Sequence, residues 1–556
     1  MPHSPYALPA VIAVTLVTVI IGAFGLRLAR TTSDFLVASR AVSPRWNAAA
    51  ISGEYLSAAS FLGVAGLILK NGVDMLWYPV GFAAGYLALL LFVAAPLRRS
   101  GAFTLPDFCE LRLGSPRLRK LSAAFVVFIG WLYLVPQFQG AGLTLQIVTG
   151  GPYVLGSLLV AAVVTGNVAL GGMRAITFVQ AFQYWLKLTA LAVPVLFLVL
   201  HWQAEGRPPI TPVDGGTFAV TTTVHFDTPA TLVLAGEGVR TFAAGDSVTF
   251  PAGTPIPTVS TSDSWLLPGT GSLFAAYSLI LATFLGTMGL PHVLVRFYTN
   301  PDGAAARRTT LVVLGLVGMF YLLPTLYGVL GRVYAPSLVL TGDTDGVVLV
   351  LPGLALGGGL AGQLLGALVA AGAFAAFLSS ASGLVTSVAG VLSTDVLGRG
   401  SAGPRSEPTS TAGRSRDFAV RDFRIAAVVG GLVPFVLALR VASLDVSLVV
   451  GLAFAVAASS FCPLLVLGIW WRGLTDAGAA AGVLVGGGGA VSAVLLTFAG
   501  YTGSGWTATL LAYPAAWTVP LAFAVMLLVS RATRRRVPGN VALTMLRLHA
   551  PDALRL

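Results

Sequence analysis

Ile51-Ser52-Gly53-Glu54-Tyr55-Leu56-Ser57 decides how this chain is read. The segment lies inside an apolar stretch of membrane-spanning length, yet it holds a carboxylate and, beside it, a residue that weakens helices. A carboxylate at that depth is costly to bury, and a helix broken there frees backbone carbonyls. The pair therefore reads as a site and not as packing, and it points to a transporter.

Composition agrees. Of 556 residues, 56% are hydrophobic and only 10% are charged, with a mean hydropathy of +0.86. A soluble fold of this size would have too little polar surface to cover itself. The +12 formal charge does not imply nucleic acid, because the basic residues sit in short loops between apolar spans, where positive-inside topology accounts for them. Nearly all are arginine, with lysine only at Lys70, Lys120 and Lys187. Cys109 and Cys462 are too few for a disulfide framework or a thiolate metal site.

A window of about 20 residues predicts an all-α polytopic membrane protein with about thirteen transmembrane helices. The first runs from about Ala7 to Leu28 and is retained, since no basic segment precedes it. The others fall near 47–69, 73–96, 121–148, 152–171, 176–200, 270–292, 310–331, 361–394, 425–439, 446–470, 477–499 and 510–530. Arg27, Arg30, Arg40 and Arg45 hold the first loop in the cytoplasm and leave the N-terminus outside. Loops at 97–120, 296–309, 398–424 and 531–556 then lie inside, with the C-terminus, in a multi-pass protein of the cell membrane. The other side keeps Lys70, Arg207, Arg240, Arg332 and Arg440.

The expected layout is an N-terminal part over 1–45, a transport core over 46–470, two additional helices over 471–530 and a basic tail over 531–556. Within the core, 201–270 is read as a small β-rich external insert, from the alternation in Thr217-Phe218-Ala219-Val220-Thr221-Thr222-Thr223-Val224-His225-Phe226. The segment 398–424, rich in Ser, Gly, Pro and Arg at its start, is read as a flexible linker.

Several membrane machines are excluded cheaply. No lysine follows a GxxxxG pattern, so no phosphate-cradling loop of a primary pump is present. Of the five histidines only His292 falls inside a predicted span, which leaves no pair for a membrane haem. Neither HExxH nor a serine-nucleophile elbow occurs. The chain is not expected to be an enzyme or to hold a resident cofactor, and secondary transport remains.

Motifs along the chain then carry a resemblance. Ser52-Gly53-Glu54-Tyr55-Leu56-Ser57-Ala58-Ala59-Ser60-Phe61-Leu62-Gly63 resembles the second-helix motif of the solute:sodium symporter family, in its cation-acetate and monocarboxylate branch. Asp34-Phe35-Leu36-Val37-Ala38-Ser39-Arg40, Phe103-Thr104-Leu105-Pro106-Asp107-Phe108, Gly171-Gly172-Met173, Gly289-Leu290-Pro291-His292 with Arg296-Phe297, and Val450-Gly451-Leu452-Ala453-Phe454-Ala455 follow in the family's order. The resemblance implies a LeuT-like core of two inverted five-helix repeats, the second to sixth and seventh to eleventh spans. A solute site then lies near the midplane between two broken helices, the second and the seventh. Gly53 beside Glu54, and Gly286, Gly289 and Pro291, mark the breaks.

The resemblance also implies a sodium site made of the carbonyls of Gly53, Leu56 and Ala376 and the hydroxyls of Ser379 and Ser380. Five oxygens of this kind suit a hard cation without a buried charge. Otherwise the serines bond back to the carbonyl one turn earlier or aid close helix packing. Glu54 either orients the broken helix and responds to protonation, or caps freed amides and never changes state. Pro291, His292 and Arg296 are read with Glu54 as gating or structural residues. Lys187 either snorkels or faces a cavity. Where many members carry an acid in a Thr-Asp motif after the double glycine, this chain has Val179-Gln180, which favours the monocarboxylate branch. The serine pair equips it for sodium more fully than some acetate symporters.

Candidate solute contacts are Tyr55, Ser57, Gln137, Thr283, Thr287 and Met288, with small neighbours such as Gly140 and Ala141. A small carboxylate needs few donors and an apolar wall, so no arginine is required. The alternative is polar decoration of helix contacts. The implied activity is uptake of a short-chain monocarboxylate (acetate, propionate or pyruvate) with sodium, or a proton, by alternating access. Its partners are those small ions and the lipid bilayer, with no nucleic acid. Symport of a neutral solute such as proline or sugar, and a membrane solute sensor, are the rival readings.

Overall fold

The computed structural model describes residues 4–26, 43–208, the strands and turns between 210 and 259, 273–397, 412–441, 444, 446–501 and 505–550. The Asp34–Arg40 motif, Arg27, Arg30 and residues 398–411 of the expected linker lie outside them. So do the side chains of Gly171-Gly172-Met173, which falls within a helix.

Helices form wherever the apolar spans were predicted. In chain order they are α1 (Ala7–Leu26), α2 (Pro44–Tyr55), α3 (Val64–Asn71), α4 (Trp77–Ala88), α5 (Ala94–Ser100), α6 (Leu105–Leu113), α7 (Pro116–Thr149) and α8 (Tyr153–Ala204). Then come α9 (Leu273–Gly289), α10 (Pro291–Phe297), α11 (Gly303–Tyr334), α12 (Ser337–Thr341), α13 (Val347–Ala355), α14 (Leu360–Val391) and α15 (Ala412–Arg440). The chain closes with α16 (Val446–Trp470), α17 (Asp476–Gly482), α18 (Gly488–Phe498), α19 (Trp506–Ala512), α20 (Ala515–Ala532) and α21 (Val541–His549).

Among the described residues, 10 helices are long and apolar enough to cross a membrane, or 11 with the bent pair α9 and α10. The difference from thirteen has two causes. Helix α1 enters that count only over its fully described part, Ala7–Ala23, which falls just short of the length needed, and the run from Ala59 to Ser100 counts as one although it holds two predicted spans. Gly72, at φ +78°, ends α3, and a 3-10 turn over Gly72–Leu76 leads into α4. Helix α8 likewise holds two spans, Tyr153–Leu170 and Ile176–Ala204.

Local signals set the boundaries. Ser115 accepts from the Leu118 N–H and Pro116 opens α7, while Gly150 at φ +70° closes it. Thr104 and Asp107 cap α6 reciprocally. Arg119 pairs with Glu110 at 2.7 Å, with Asp107 at 2.8 Å and with Asp395, tying α6, α7 and the end of the ninth span together. Burial raises the Asp107 carboxyl above its usual range, and the Arg119 charge opposes that shift.

The insert is a pair of small antiparallel sheets. Strand β1 (Thr222–His225) pairs with β4 (Ser247–Phe250), and β2 (Ala230–Leu234) lies between β3 (Gly238–Phe242) and β5 (Thr258–Val259). Phe226, Leu232 and Phe242 form its own core, separate from the membrane bundle. Four short helices were not predicted: α6, α12, α13 and α21. In the tail, α21 buries Met545 and Leu548 and sets His549 Nε2 2.9 Å from the Ile469 carbonyl oxygen.

The most enclosed helices are α16 and α14. They pack with α7, α8, α9 and the broken α2 around the middle of the bundle, where the polar residues of the predicted site lie.

Candidate functional site

Helix α2 stops inside the bundle. The Leu56 N–H still reaches the Ser52 carbonyl at 3.1 Å, Ser57 is non-helical, and a wide π turn over Ala59–Gly63 restarts the span. Gly53 is required here, because a Cβ would overlap the backbone carbonyl of Gln180 and stand 3.2 Å from Ser379 Oγ. Four backbone groups freed by the break are met by side chains from other helices. Lys187 Nζ donates to the Gly53 carbonyl at 2.5 Å and to the Leu56 carbonyl at 2.7 Å. The Ser380 hydroxyl donates to the Glu54 carbonyl at 2.5 Å, and the Ala58 N–H donates to Gln137 Oε1 at 3.0 Å.

The Glu54 side chain turns the other way. Its Oε2 accepts from Arg296 Nε at 2.5 Å and from Gln180 Nε2 at 3.4 Å, with the carboxylate and guanidinium side chains 2% and 1% exposed. Arg296 also donates to Thr177 Oγ1 at 3.0 Å and to Gln180 Oε1. Gln180 Nε2 donates in turn to the Ser379 carbonyl at 2.9 Å. Glu54 Oε1 has no partner; the carboxyl lies against Gly383, where any Cβ would overlap it. The ion pair thus joins the first helix of one repeat to the first helix of the other.

The second break is narrower. Leu290 separates α9 from α10, which meet at 41°, and Pro291 supplies the first residue of the new helix. Gly286 and Gly289 let α9 lie directly on the backbone of α16: a Cβ on Gly286 would stand 2.5 Å from the Phe454 carbonyl oxygen, and one on Gly289 would overlap that of Ala457. Thr287 Oγ1 lies 2.9 Å from the Tyr55 hydroxyl, so the two breaks touch. Thr283 bonds back to Leu279 at 2.8 Å, and Gly81 and Gly85 of α4 make room for both threonines. Met288 is buried beside them. Ser57 Oγ accepts from the Tyr133 hydroxyl at 3.1 Å. His292 packs its ring 5.1 Å from that of Tyr133, and neither of its nitrogens has a partner. Around the Tyr55–Thr287 hydroxyls, Phe82, Tyr86 and Phe454 form an aromatic wall within 6.3 Å of the Tyr55 ring.

The profile of the sodium:solute symporter family matches residues 35–207 and 230–486. The chain belongs to that family. It is 32% identical over 523 residues to a monocarboxylic acid transporter of Corynebacterium glutamicum, covering 90% of this chain and 86% of that protein. It is 30% identical over 485 residues to an uncharacterized symporter, YwcA, of Bacillus subtilis (strain 168), covering 87% and 84%. A sodium-coupled sialic acid symporter, solved in a substrate-bound outward-open state, has the same fold at a TM-score of 0.66, with 14% identity and coverage of 95% and 97%. Mhp1, a nucleobase-cation-symport-1 family transporter solved in a closed conformation, follows at 0.51, with 14% identity and coverage of 93% and 99%. The protein is therefore a multi-span membrane symporter of the sodium-coupled class with the inverted-repeat fold.

Four of the five residues predicted as cation ligands, Gly53, Leu56, Ser379 and Ser380, lie at the first break. Gly53 and Leu56 present their carbonyls to one point, Ser379 Oγ is buried without a partner, and Ser380 Oγ is held on Glu54. Ala376 is buried on the same helix as the serines. An all-oxygen, uncharged set suits a hard monovalent cation. Sequence reasoning singled out Lys187 and Gln180 but did not bring them to the first break. Lys187, Gln180 and Thr177 fall on one face of α8 at spacings of seven and three residues, a polar stripe in an otherwise apolar span, and that periodicity was available. Tyr133, Phe82, Tyr86 and Phe454 carried no comparable signal, since aromatic residues in a membrane helix read as packing.

Proposed function

We propose that this symporter couples sodium entry to the uptake of a short-chain monocarboxylate, with acetate, propionate and pyruvate as the candidate solutes. The observation that carries this reading is the Tyr55–Thr287 hydroxyl pair joining the two breaks inside an aromatic wall. It offers a few donors and an apolar enclosure, the needs of a small carboxylate with a methyl end. The named function of the Corynebacterium glutamicum relative supports the choice of solute. Arg296 is committed to Glu54, so the carboxylate is met by hydroxyls and backbone.

In this proposal Tyr55, Ser57, Gln137, Thr283, Thr287 and Met288 line the solute path, and Gly53, Leu56, Ala376, Ser379 and Ser380 hold the cation. Glu54 and Arg296 clamp the repeats together, with Pro291 and His292 at the second break, and transport proceeds by rocking of the repeats around the fixed site. The transport core spans 46–470 in the cell membrane, with the N-terminus outside and the C-terminus in the cytoplasm. The test is uptake of labelled acetate into proteoliposomes with and without an inward sodium gradient, challenged with propionate, pyruvate, proline and glucose. Sodium should accelerate uptake, and only the monocarboxylates should compete. Uptake that ignores sodium, or competition by proline or glucose, overturns the reading.

A further inference from the structure

Two of the carbonyls proposed as sodium ligands are already bound to the Lys187 side-chain nitrogen in this structure. Lys187 Nζ donates to Gly53 and Leu56 at 2.5 and 2.7 Å, is fully buried, and reaches them from α8 across the bundle. An ammonium is a compact point charge with several donors, so it satisfies converging carbonyls much as a bare monovalent ion does. We propose that Lys187 is a tethered cation that occupies the cation site and competes with sodium for it. This rests on the sodium-coupled reading above and adds a residue that sets how tightly the site takes its ion.

Three observations converge on the competition. The first is the shared ligand pair: Gly53 and Leu56 hold the ammonium with short bonds that a sodium ion would need for itself. The second is the unused ligand: Ser379 Oγ is buried, has no hydrogen-bond partner, and lies beside Gly53, 3.2 Å from where a Cβ on that glycine would stand. A hydroxyl left bare there is a ligand of the ion that the lysine, with two bonds made, does not use. The third is charge. The buried cluster already holds Arg296 and Lys187 against Glu54, so a sodium ion added beside the ammonium would be a second unpaired positive charge in a medium that screens poorly.

The ammonium also has somewhere to go. Glu54 Oε1 is buried without a partner at the same break, so a displaced Lys187 can exchange two carbonyls for a carboxylate oxygen. Sodium binding would thereby put a second cation on the carboxylate that Arg296 and Gln180 hold, linking occupancy of the site to the contact between the repeats that must hold or release in alternating access.

The test uses the purified full-length protein in detergent, with direct binding of radiolabelled sodium and thermal unfolding as readouts. A competitor that fills the site in most molecules divides the dissociation constant by the free fraction and so weakens apparent binding; Lys187→Met should therefore lower the half-saturating sodium concentration by about tenfold or more. The same variant should unfold at a lower temperature in sodium-free buffer and recover on adding sodium, because the ion replaces the missing ammonium. Lys187→Arg, which keeps a cation on the tether, should show no gain in affinity. Lys187→Met that folds and binds sodium no more tightly than the unchanged protein overturns the proposal; acetate uptake by the unchanged protein that ignores sodium overturns the functional reading instead. If Lys187→Met does not fold even in sodium, the unchanged protein decides. It has only three lysines, so the ε-carbon signal of labelled Lys187, assigned with Lys70→Arg and Lys120→Arg, must shift on sodium addition with the half-saturation of binding. A Lys187 signal unmoved at saturating sodium overturns the proposal.

Discussion

The two helix breaks occupy equivalent places in the inverted repeats and are built from opposite chemistry. The first is cross-linked by polar side chains from other helices: Lys187, Gln180, Ser380 and Gln137 on backbone groups or on Glu54, and Arg296 on the carboxylate. The second is held by the contact of Gly286 and Gly289 with the backbone of α16, and its histidine has no hydrogen bond. Repeat symmetry therefore fixes where the backbone opens and leaves the chemistry of each opening free. The first opening collects charged and amide side chains, whereas the place where the second touches it, at Thr287 and Tyr55, holds hydroxyls beside an aromatic surface, the location proposed above for the solute.

The sharpest way to break the contrast is to remove one partner of the buried ion pair. Glu54→Leu leaves the Arg296 guanidinium buried without its counter-ion, and Arg296→Leu does the reverse. Each is expected to cost about 3–5 kcal/mol of stability. The double variant should regain most of that loss, since two apolar side chains replace a matched pair, yet it should not regain transport. Thermal unfolding in detergent and sodium-driven uptake measure the two effects. Wild-type unfolding in either single variant would show that the clamp does not hold the repeats together.

Next in size is Gly289→Ala at the second break. The added methyl overlaps the Ala457 carbonyl and stands 3.2 Å from the Cys462 nitrogen, so α9 must move off α16 at a cost of about 1–3 kcal/mol. Solute half-saturation should rise while the half-saturating sodium concentration stays near its original value. Equal changes in both would mean that the two breaks do not divide the work.

The fold was legible because its signals are long. Apolar stretches of membrane length place the helices regardless of neighbours, and Gly53, Gly289 and Pro291 mark the breaks through local backbone chemistry. The short helices α6, α12, α13 and α21 were missed because they are too brief for a hydropathy window. At the site, Glu54 was visible as a buried charge, but Arg296 was expected at the start of the cytoplasmic loop 296–309 and is instead buried on Glu54, a pairing that joins residues 242 apart in sequence. Lys187 shows the same gap. A lone lysine in an apolar span has several resting places, and only tertiary packing says that this one ends on the Gly53 and Leu56 carbonyls.

Smaller effects sharpen the cation assignment. Ser379→Ala together with Ser380→Ala should raise the half-saturating sodium concentration several-fold. The single variants should differ from each other. Ser379 makes no bond through its hydroxyl, so its loss should touch sodium alone, whereas Ser380 holds the Glu54 carbonyl and its loss should also cost about 1 kcal/mol of stability. Unchanged sodium dependence in the double variant, at normal expression, removes both serines from the cation site. At the other break His292→Phe should alter stability by less than about 1 kcal/mol, because no hydrogen bond is lost and an unpaired polar ring becomes apolar. A large loss in the melting temperature would reveal a partner for the imidazole and make the two breaks more alike.

The smallest expected effect concerns the membrane potential. Moving one elementary charge through 100 mV is worth about 2.3 kcal/mol, so a carboxylate anion entering a negative interior alone faces that cost. One sodium ion per carboxylate cancels it and leaves the sodium concentration gradient as the drive. The first break offers one set of converging oxygens, and Gln180 stands where an acid would be needed to build a second cation site nearby. Lys187 adds no transported charge, because it is bound to the chain and stays behind when the solute leaves. Coupling is therefore predicted to be one-to-one and close to electroneutral. In proteoliposomes with a fixed sodium gradient, an inside-negative potential set with potassium and valinomycin should barely change the initial rate of acetate uptake. A several-fold acceleration would mean that a second cation crosses with each carboxylate, and its ligands would then have to be sought away from the first break, where the buried Lys187 ammonium already repels another positive charge.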